Sequence, residues 1–418
     1  MILIKNVEIY TPTKRVSNGA ILIKNGRIAY AGPLASIPGT LTLIRKLRLV
    51  SPESGSPVKV IDLKGYIAVP GFIDIHLHGG DGSDFMDGTE EACLRVLKIH
   101  MKKGTTAAIP TLMTAAPEAI VKAIQAVKKL KTAIKGRAFG SPLARDFYPR
   151  ASTAEVDPRA KPGAPAAEDV LPAVLGLHLE GPFIAGEKRG AQPESHVRPF
   201  SAQELGRYVR AAGDGIKIMT LAPEISGAGP LIRDLKRRRI IPSAGHSNAS
   251  YEEATAGIRA GIRHGTHLFN AMSGLFHRDP GLAGALLLDD RVTVELIADG
   301  IHLHPAMAVL VTKIKPLGKI ILVTDATKQA GRSYTPLRTR DGRLFGSAIT
   351  LDIALRNMLR WTGRPMTEIL PMLTLNPARL LGLAAVKGRI AKGADADLVI
   401  LDKKLTVKHV FVRGEKGS

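Results

Sequence analysis

The chain is poor in several features that define whole classes of protein. Its 418 residues contain one cysteine, Cys93, which excludes an internal disulfide framework and suits a reducing compartment. No uninterrupted apolar stretch reaches the roughly 18 residues needed to cross a bilayer. The N-terminus alternates like a strand and lacks the apolar block of a signal peptide. We therefore expect a soluble, cytoplasmic protein with no membrane association.

Acidic residues and aromatic residues are also scarce. The chain has 37 Asp and Glu against 59 Lys and Arg, a net charge of +22, and only 4% aromatic residues. A basic face can bind nucleic acid by releasing counterions from phosphates. Here, however, the basic residues are scattered through helical stretches such as 128–131 and 236–239. We interpret them as a solvated surface that would also attract anionic substrates, and we predict no nucleic-acid partner.

What the chain does have is a repeated alternation of short apolar runs and helical segments between residues 71 and 326. Eight runs are predicted strands: Gly71–His78, Thr105–Met113, Gly176–Glu180, Lys217–Ala222, Ile241–His246, His264–Phe269, Thr293–Ala298 and Lys319–Thr324. The intervening segments, for example Ala202–Ala212 and Tyr251–Ala260, have helical spacing. Alternating strands and helices favour parallel pairing, and eight such units close a (β/α)8 TIM barrel of the α/β class.

Both ends of the chain are predicted to be β structure instead. Residues 1–68 hold short alternating strands with a turn signal at Asn25-Gly26, and the tail from 386 to 418 has the same character. We expect these ends to form one small β-sandwich domain beside a catalytic barrel of residues 69–385. Between 141 and 172 lie six prolines, which predict a long loop insertion.

Side chains able to bind metal or move protons recur at the ends of the predicted strands. They are His76, His78, Glu180, His246, His267 and Asp325. Catalytic groups of (β/α)8 barrels lie at the C-terminal ends of the strands, so one rim should collect all six. We also interpret the glycines at 79, 80 and 82 as positions that let the backbone approach a ligand.

The residue types point to metal-assisted hydrolysis. His76 and His78, two apart on a strand, should face the same side. A carboxylate buried at Glu180 needs a cation, and with His246 and His267 it gives the ligand set of a catalytic zinc site with an open position.

Two further residues near these ligands carry interpretations of their own. Asp325 closes the eighth run, and we interpret it as a catalytic base rather than a helix cap. His178 shares a strand face with Glu180 but lies one layer deeper, so we interpret it as a packed histidine.

These residues fall within a series of motifs spread along the chain. The motifs are His76-Leu77-His78-Gly79, His178-Leu179-Glu180-Gly181-Pro182-Phe183, Gly245-His246-Ser247, His267-Leu268-Phe269-Asn270-Ala271-Met272, Asp299-Gly300-Ile301-His302, Thr324-Asp325-Ala326, Gly346-Ser347-Ala348, Leu375-Asn376-Pro377-Ala378 and the segment 388–399. With this set the chain resembles the N-acetylglucosamine-6-phosphate deacetylases of the amidohydrolase superfamily. The resemblance leaves out the proline-rich insertion and part of the N-terminal region.

The resemblance implies hydrolysis of the N-acetyl group of N-acetylglucosamine 6-phosphate in amino sugar catabolism. It implies that Glu180, His246 and His267 hold the principal divalent metal, zinc or iron. His76 and His78 would hold a second metal with Glu180 bridging. Because some members lack this histidine pair and use one metal, we expect one or two ions per subunit.

The resemblance also implies a set of substrate-binding residues. Asn270, the backbone around Ala271, and Arg278 would bind the sugar phosphate, with Arg278 reaching across the interface of a homodimer. His302 would face the acetyl carbonyl. Gln192 stands at a substrate-side position where other members carry histidine, which leaves its role open.

Alternatives stay open at this point. An N-acetylgalactosamine-6-phosphate deacetylase, a dihydroorotase-like cyclic amidase or a D-aminoacylase-like amidase would use the same barrel. Several of the last two kinds bridge two metals with a modified lysine, and no lysine stands at an equivalent strand end here. A basic, non-catalytic binding protein on a barrel scaffold is a more distant alternative, and the six intact residues argue against it.

Overall fold

A computed structural model describes residues 1–37, 58–138, 170–335 and 337–417, without the side chains of 135–138. The predicted insertion between 141 and 172 lies outside the described residues except for its last three positions.

The described residues form strands and helices as follows. The strands are β1 (Ile2–Tyr10), β2 (Arg15–Lys24), β3 (Arg27–Pro33), β4 (Lys59–Asp62), β5 (Ile67–Pro70), β6 (Phe72–Leu77), β7 (Gly79–Gly80), β8 (Ser83–Asp84), β9 (Thr105–Leu112), β10 (Ala173–Val174), β11 (Leu177–Glu180), β12 (Ile216–Leu221), β13 (Ile241–Ala244), β14 (His264–Gly265), β15 (Thr293–Ile297), β16 (Ile320–Val323), β17 (Leu337–Arg338), β18 (Leu344–Phe345), β19 (Leu398–Leu401), β20 (Val407–Val412) and β21 (Glu415–Gly417). The α-helices are α1 (Glu90–Lys102), α2 (Pro117–Ala138), α3 (Ala202–Ala212), α4 (Ala228–Arg237), α5 (Tyr251–Ala260), α6 (Gly281–Leu288), α7 (Pro305–Ile314), α8 (Leu351–Thr362), α9 (Met366–Ile369) and α10 (Leu375–Leu380). None of these helices is both long and apolar enough to span a bilayer.

Eight parallel strands form a ring in the order β6-β9-β11-β12-β13-β14-β15-β16, and β10 also pairs with β9. The ring closes where Leu77 bridges to Ala326 and where the Asp325 N–H donates to the His76 carbonyl over 2.8 Å. Strands such as β6, β9, β15 and β16 are buried along their whole length, because helices cover the outside and side chains fill the inside. The predicted (β/α)8 barrel is confirmed.

Two predicted strands end earlier in the structure. The run predicted as His264–Phe269 leaves the sheet after Gly265, and the run predicted as Ile241–His246 leaves it after Ala244. The cause is left-handed backbone at His246 and His267, with φ of 48° and 31°. Such a conformation is incompatible with a pleated strand, so these histidines stand on the loops just beyond the sheet.

The two ends of the chain pair into a second sheet of order β21-β20-β19-β5-β1-β2-β3, with β4 against β1. Its centre is the antiparallel pairing of β19 with β5, from Leu398 opposite Pro70 to Leu401 opposite Ile67. The predicted β unit built from both termini is confirmed, with the turn at Asn25-Gly26 in left-handed backbone. The division into residues 1–68 with 386–418 and 69–385 stays a prediction.

A buried ion-pair cluster links this sheet to the barrel. The Lys387 ammonium lies 2.9 Å from Asp395 and 2.6 Å from Asp397. Asp397 also accepts from the Arg413 N–H through its side chain and from the Gly71 N–H through its carbonyl. Gly71 directly precedes β6, so the tail is fastened to the start of the first barrel strand.

Candidate metal centre and active site

Glu180, the last residue of β11, lies at the centre of the polar cluster on the barrel rim. Its Oε1 is 3.0 Å from the Nε2 atoms of both His246 and His267, and these two nitrogens are 3.1 Å apart. The ring of His246 is oriented by its Nδ1–H, which donates to the Lys188 carbonyl over 2.9 Å. Its Nε2 lone pair is therefore directed at Glu180.

His76 and His78 meet the same carboxylate from the other side. Their Nε2 atoms are 3.3 Å apart, with His76 at 3.3 Å from Glu180 Oε1 and His78 at 3.2 Å from Oε2. His76 lies on β6 and His78 directly follows that strand, so the two rings lie on the same side, as the sequence pattern predicts. Asp325 completes the cluster at 3.5 Å from His76 and 3.2 Å from His78.

The cluster consists of two triads that share Glu180. We call His76, His78 and Glu180 the first triad, and Glu180, His246 and His267 the second triad. In each, the ligand atoms lie within 4.8 Å of one another and are buried. Atoms that share one tetrahedral ion at about 2.0–2.1 Å lie roughly 3.3 Å apart, so both triads fit a divalent metal.

The electrostatics of the cluster agree with that fit. Burial disfavours the charged forms of its members, but Glu295, Glu180 and Asp325 outweigh burial and hold the pKa of His76 well above its ordinary value. The same two acids of the cluster, Asp325 and Glu180, raise the pKa of His78 to about 9 against burial. Carboxylates that raise the pKa of buried imidazoles show that the site favours a positive charge, which a metal cation would supply.

Asp325 is held by backbone contacts on two sides. Its N–H donates to His76, as described for the ring closure, and its carbonyl accepts from the Ser347 N–H over 2.7 Å. A side chain at Gly346 would place a Cβ 2.6 Å from that carbonyl, so glycine is required there. The backbone of Asp325 is left-handed, with a φ of 47°. Burial raises the pKa of its carboxyl, but the neighbouring His76 and His78 outweigh burial and lower that pKa below its ordinary value. The group is thus a carboxylate aimed at the first triad.

The cluster, apart from the fully buried His76, forms one wall of a cavity of about 200 Å³. The cavity is lined by His78, Met113, Glu180, Gly190, Ala191, Gln192, His246, His267, Asn270, Ala271, His302, Asp325, Thr327, Arg343, Leu344, Phe345 and Gly346. The sequence-predicted residues Asn270, Ala271, His302 and Gln192 all lie on its surface. Arg278 does not: it is exposed, outside the lining of its own chain's cavity.

Gln192 and His302 are both held by specific hydrogen bonds. The Gln192 amide donates to Glu180 Oε2 over 2.6 Å and accepts from the Thr114 N–H over 2.8 Å. His302 donates its Nδ1–H to Asp299 over 2.6 Å, which leaves Nε2 as the ring nitrogen without that partner. Gln192 therefore contacts the carboxylate common to both triads, which the resemblance alone did not indicate.

His178 lies next to His76, with 4.7 Å between the ring centroids, and its Nε2 is 2.7 Å from the Thr220 hydroxyl. Burial lowers the pKa of His178 to about 3, so this ring is neutral.

The glycines after His78 have a different role from the one expected. A Cβ at Gly79 would lie 2.5 Å from the Ser83 carbonyl and 3.0 Å from the Lys328 amide. At Gly80 and Gly82 the nearest atoms belong to Ile99 and Arg332. These glycines allow close packing of protein on protein, so the interpretation that they admit a ligand was wrong.

Sequence reasoning missed Glu295, Asp299 and Arg343 as site residues. Asp299 stands three residues before His302, a local spacing that could have been recognised. Glu295 is an acid within the apolar run of β15, which was also a visible signal. Arg343 lies on the β17–β18 hairpin, and nothing in its local sequence shows that the hairpin folds over the cavity, where its guanidinium donates to the Gly190 carbonyl over 3.3 Å.

The barrel and its carboxylate–histidine cluster together define a metal-dependent hydrolase. A model of the amidohydrolase family matches residues 67–416, and the chain belongs to that family.

Among its relatives, the chain is 33% identical to the N-acetylglucosamine-6-phosphate deacetylase of Bacillus subtilis, over 99% of this chain and 96% of that one. It is 32% identical to the N-acetylgalactosamine-6-phosphate deacetylase of Escherichia coli O157:H7, over 87% and 90%. The structure of the N-acetyl-D-glucosamine-6-phosphate deacetylase of Mycobacterium smegmatis superposes with a TM-score of 0.80 at 28% identity, covering all of both chains.

Proposed function

We propose that this enzyme removes the N-acetyl group of N-acetylglucosamine 6-phosphate, giving glucosamine 6-phosphate and acetate in amino sugar catabolism. The observation that carries the proposal is the convergence of both triads and Asp325 beside one cavity, which all of them except His76 line. The relatives named for this reaction support it across almost the whole chain. The buried free thiol of Cys93 fits a cytoplasmic enzyme.

The second triad would hold the principal divalent metal, zinc or iron, and the first triad, which shares Glu180 with it, would hold a second ion. When bound, such a metal lowers the pKa of water from about 15.7 to about 7 and polarises a carbonyl. The chain's part is to keep the ring nitrogens of His76, His78, His246 and His267 directed at Glu180.

Asp325 would act as general base and then as general acid. Its carboxylate accepts the proton of the attacking water and later delivers it to the sugar nitrogen, so that the amine leaves neutral. His302 would face the acetyl carbonyl through Nε2, and it would donate there when both ring nitrogens carry a proton, since Nδ1–H is bonded to Asp299. A donor aimed at a developing oxyanion is worth about 2.7–4 kcal/mol.

The phosphate would be bound at the cavity mouth by cations and amides. Asn270, the backbone at Ala271, and Arg343 line the cavity within the chain, and a guanidinium suits a phosphate through paired hydrogen bonds. Arg278 would reach the cavity of a second copy in a homodimer. The exposure of Leu275 and Phe276, at 44% and 66%, supports a self-association surface beside it.

The test is to purify the protein, measure its metal content and follow acetate release from N-acetylglucosamine 6-phosphate. We expect bound divalent metal, turnover that a chelator abolishes, and much weaker turnover of unphosphorylated N-acetylglucosamine. Metal-bound protein without acetate release would refute the proposed substrate. The relative from Escherichia coli makes N-acetylgalactosamine 6-phosphate the second candidate, and a higher kcat/KM for that sugar would favour it.

A further inference from the structure

Glu295 is a completely buried carboxylate in the middle of β15, between Val294 and Leu296 of the apolar core. An acid at such a position is costly unless several donors satisfy it. It is not part of the cavity lining, and no role in substrate contact is open to it.

Three donors from different parts of the barrel converge on this carboxylate. Glu295 Oε2 accepts from His76 Nδ1 over 2.8 Å and from the backbone N–H of His267 over 3.0 Å. Oε1 accepts from His264 Nε2 over 2.9 Å, and the other ring nitrogen of His264 is 2.7 Å from the Thr293 hydroxyl. One oxygen atom thus contacts a member of the first triad and a member of the second.

Two of these contacts fix the orientation of residues in the triads, namely His76 and His267. Because His76 donates its Nδ1–H to Glu295, Nε2 is the nitrogen that faces Glu180 and is left to bind a metal once it gives up its proton. Because the His267 amide is bonded, the left-handed backbone that aims its ring is held in place.

We propose that Glu295 is a positioning residue that couples the two triads through one carboxylate oxygen. It sets the ring of His76 and the backbone of His267 together, so both ions are bound less well when the carboxylate is withdrawn. The inference rests on the proposed metal-dependent function and extends it to a residue outside both triads and outside the cavity lining.

Two variants separate the effect of the length of the Glu295 side chain from the effect of its charge. In Glu295→Gln the amide oxygen can take the place of Oε2 and accept from both His76 and His267. The amide NH2 can then donate to His264, if that ring shifts its proton to the nitrogen beside Thr293, whose hydroxyl already reaches the Arg263 carbonyl. Glu295→Asp keeps the charge but draws the oxygens back by one methylene, away from the triads.

The experiment is a calorimetric titration of chelator-treated full-length protein with Zn²⁺, with metal stoichiometry measured after gel filtration. We expect Glu295→Gln to bind two ions with affinity close to wild type, and Glu295→Asp to bind both about 10–100-fold more weakly. Glu204→Gln is the control, since this carboxylate pairs with Arg198 away from the triads and should leave both affinities unchanged. Thermal unfolding of the metal-free proteins shows that each variant is folded.

Other outcomes overturn the inference. If Glu295→Gln binds more weakly than Glu295→Asp, charge rather than position is what matters. If Glu295→Asp weakens one ion only, the triads are not coupled. If both variants bind like wild type, Glu295 has a purely structural role. Wild-type protein that binds two ions but releases no acetate would instead refute the proposed substrate and leave the inference intact.

Discussion

Three of the six cluster residues stand on backbone that side chains other than glycine rarely adopt. His246, His267 and Asp325 have φ between 31° and 48°. Each such conformation costs about 1–3 kcal/mol and persists only where surrounding bonds impose it. Those bonds are present: the Ala185 N–H to the His246 carbonyl, the His267 N–H to Glu295, and the Asp325 contacts to His76 and Ser347. The positions of these three side chains are therefore set by contacts with the rest of the barrel rim and not by their own local backbone preferences.

Asp325→Asn is the sharpest test of an individual side chain. The substitution keeps the size of the group but removes its ability to take a proton, so turnover should fall by about 10²–10⁴-fold. Because Asp325 is outside both triads, metal content should stay at the wild-type level. Steady-state kinetics on metal-analysed protein check this, and near-normal turnover would refute the assignment.

Arg343→Ala tests recognition of the phosphate by a residue of the same chain. Loss of the guanidinium should raise KM for the phosphorylated sugar at least 10-fold, the factor that about 1.4 kcal/mol of binding gives. Any activity on the unphosphorylated sugar should be unchanged. Arg340→Ala is the matched control, because this exposed arginine lies on the same hairpin outside the cavity lining.

Arg278→Ala tests whether a second copy of the chain contributes to phosphate binding. It should raise the same KM only if the protein is a dimer, so sedimentation of the variant and the wild type accompanies the kinetics. A KM that stays unchanged in a dimeric protein would remove Arg278 from the phosphate site.

At the scale of elements, helix bounds set by local capping could be predicted from the sequence, whereas strand ends set by tertiary contacts could not. Helices α3 and α5 have the predicted bounds, because each begins at a serine whose side chain accepts an N–H of the first turn. The early ends of β13 and β14 were missed, since left-handed backbone there is imposed by tertiary bonds. The six cluster residues could be predicted because strand ends of a barrel share one rim. Glu295 was recognisable as an acid within an apolar run, but its contact with His76 could not be predicted, because Glu295 lies in the middle of β15 and not at the shared rim.

Ser250→Ala tests the cap of α5. The Ser250 hydroxyl accepts from the Glu253 N–H over 3.1 Å, while the Glu253 carboxylate accepts from the Ser250 N–H over 2.9 Å. Removing such a cap costs about 0.5–2 kcal/mol of unfolding free energy. Urea unfolding of metal-free protein measures this. A variant as stable as wild type would show that packing alone sets the start of the helix.

At the scale of the whole molecule, Lys387 is the residue on which the junction of sheet and barrel depends. Its substitution by Met leaves Asp397 buried without its cation and leaves Asp395 with only Arg27, 3.4 Å away, which should cost about 3–5 kcal/mol of unfolding free energy. Exposed Lys392→Met is the control and should change stability little. Equal denaturation midpoints for the two variants would contradict this account.

The ion pairs of Lys387 also predict how their contribution to stability changes with pH. Burial disfavours the Lys387 cation, but Asp397 and Asp395 outweigh it and raise its pKa above the ordinary value of about 10.4. Its contribution to stability is therefore complete below that value and is lost only as pH rises through the raised pKa. The difference in stability between wild type and Lys387→Met should stay constant between neutral pH and about pH 10.

The hydrogen bonds that close the barrel join Asp325 to His76 and His78 to Ala326, residues nearly 250 positions apart in the chain. A ribosome that has finished the first 300 residues has already made both histidine pairs and Glu180, yet the ring is still open and β6 lacks its second neighbour. The complete cluster, with Asp325 beside His76 and His78, therefore assembles only after β16 has been synthesised, late in the making of the chain.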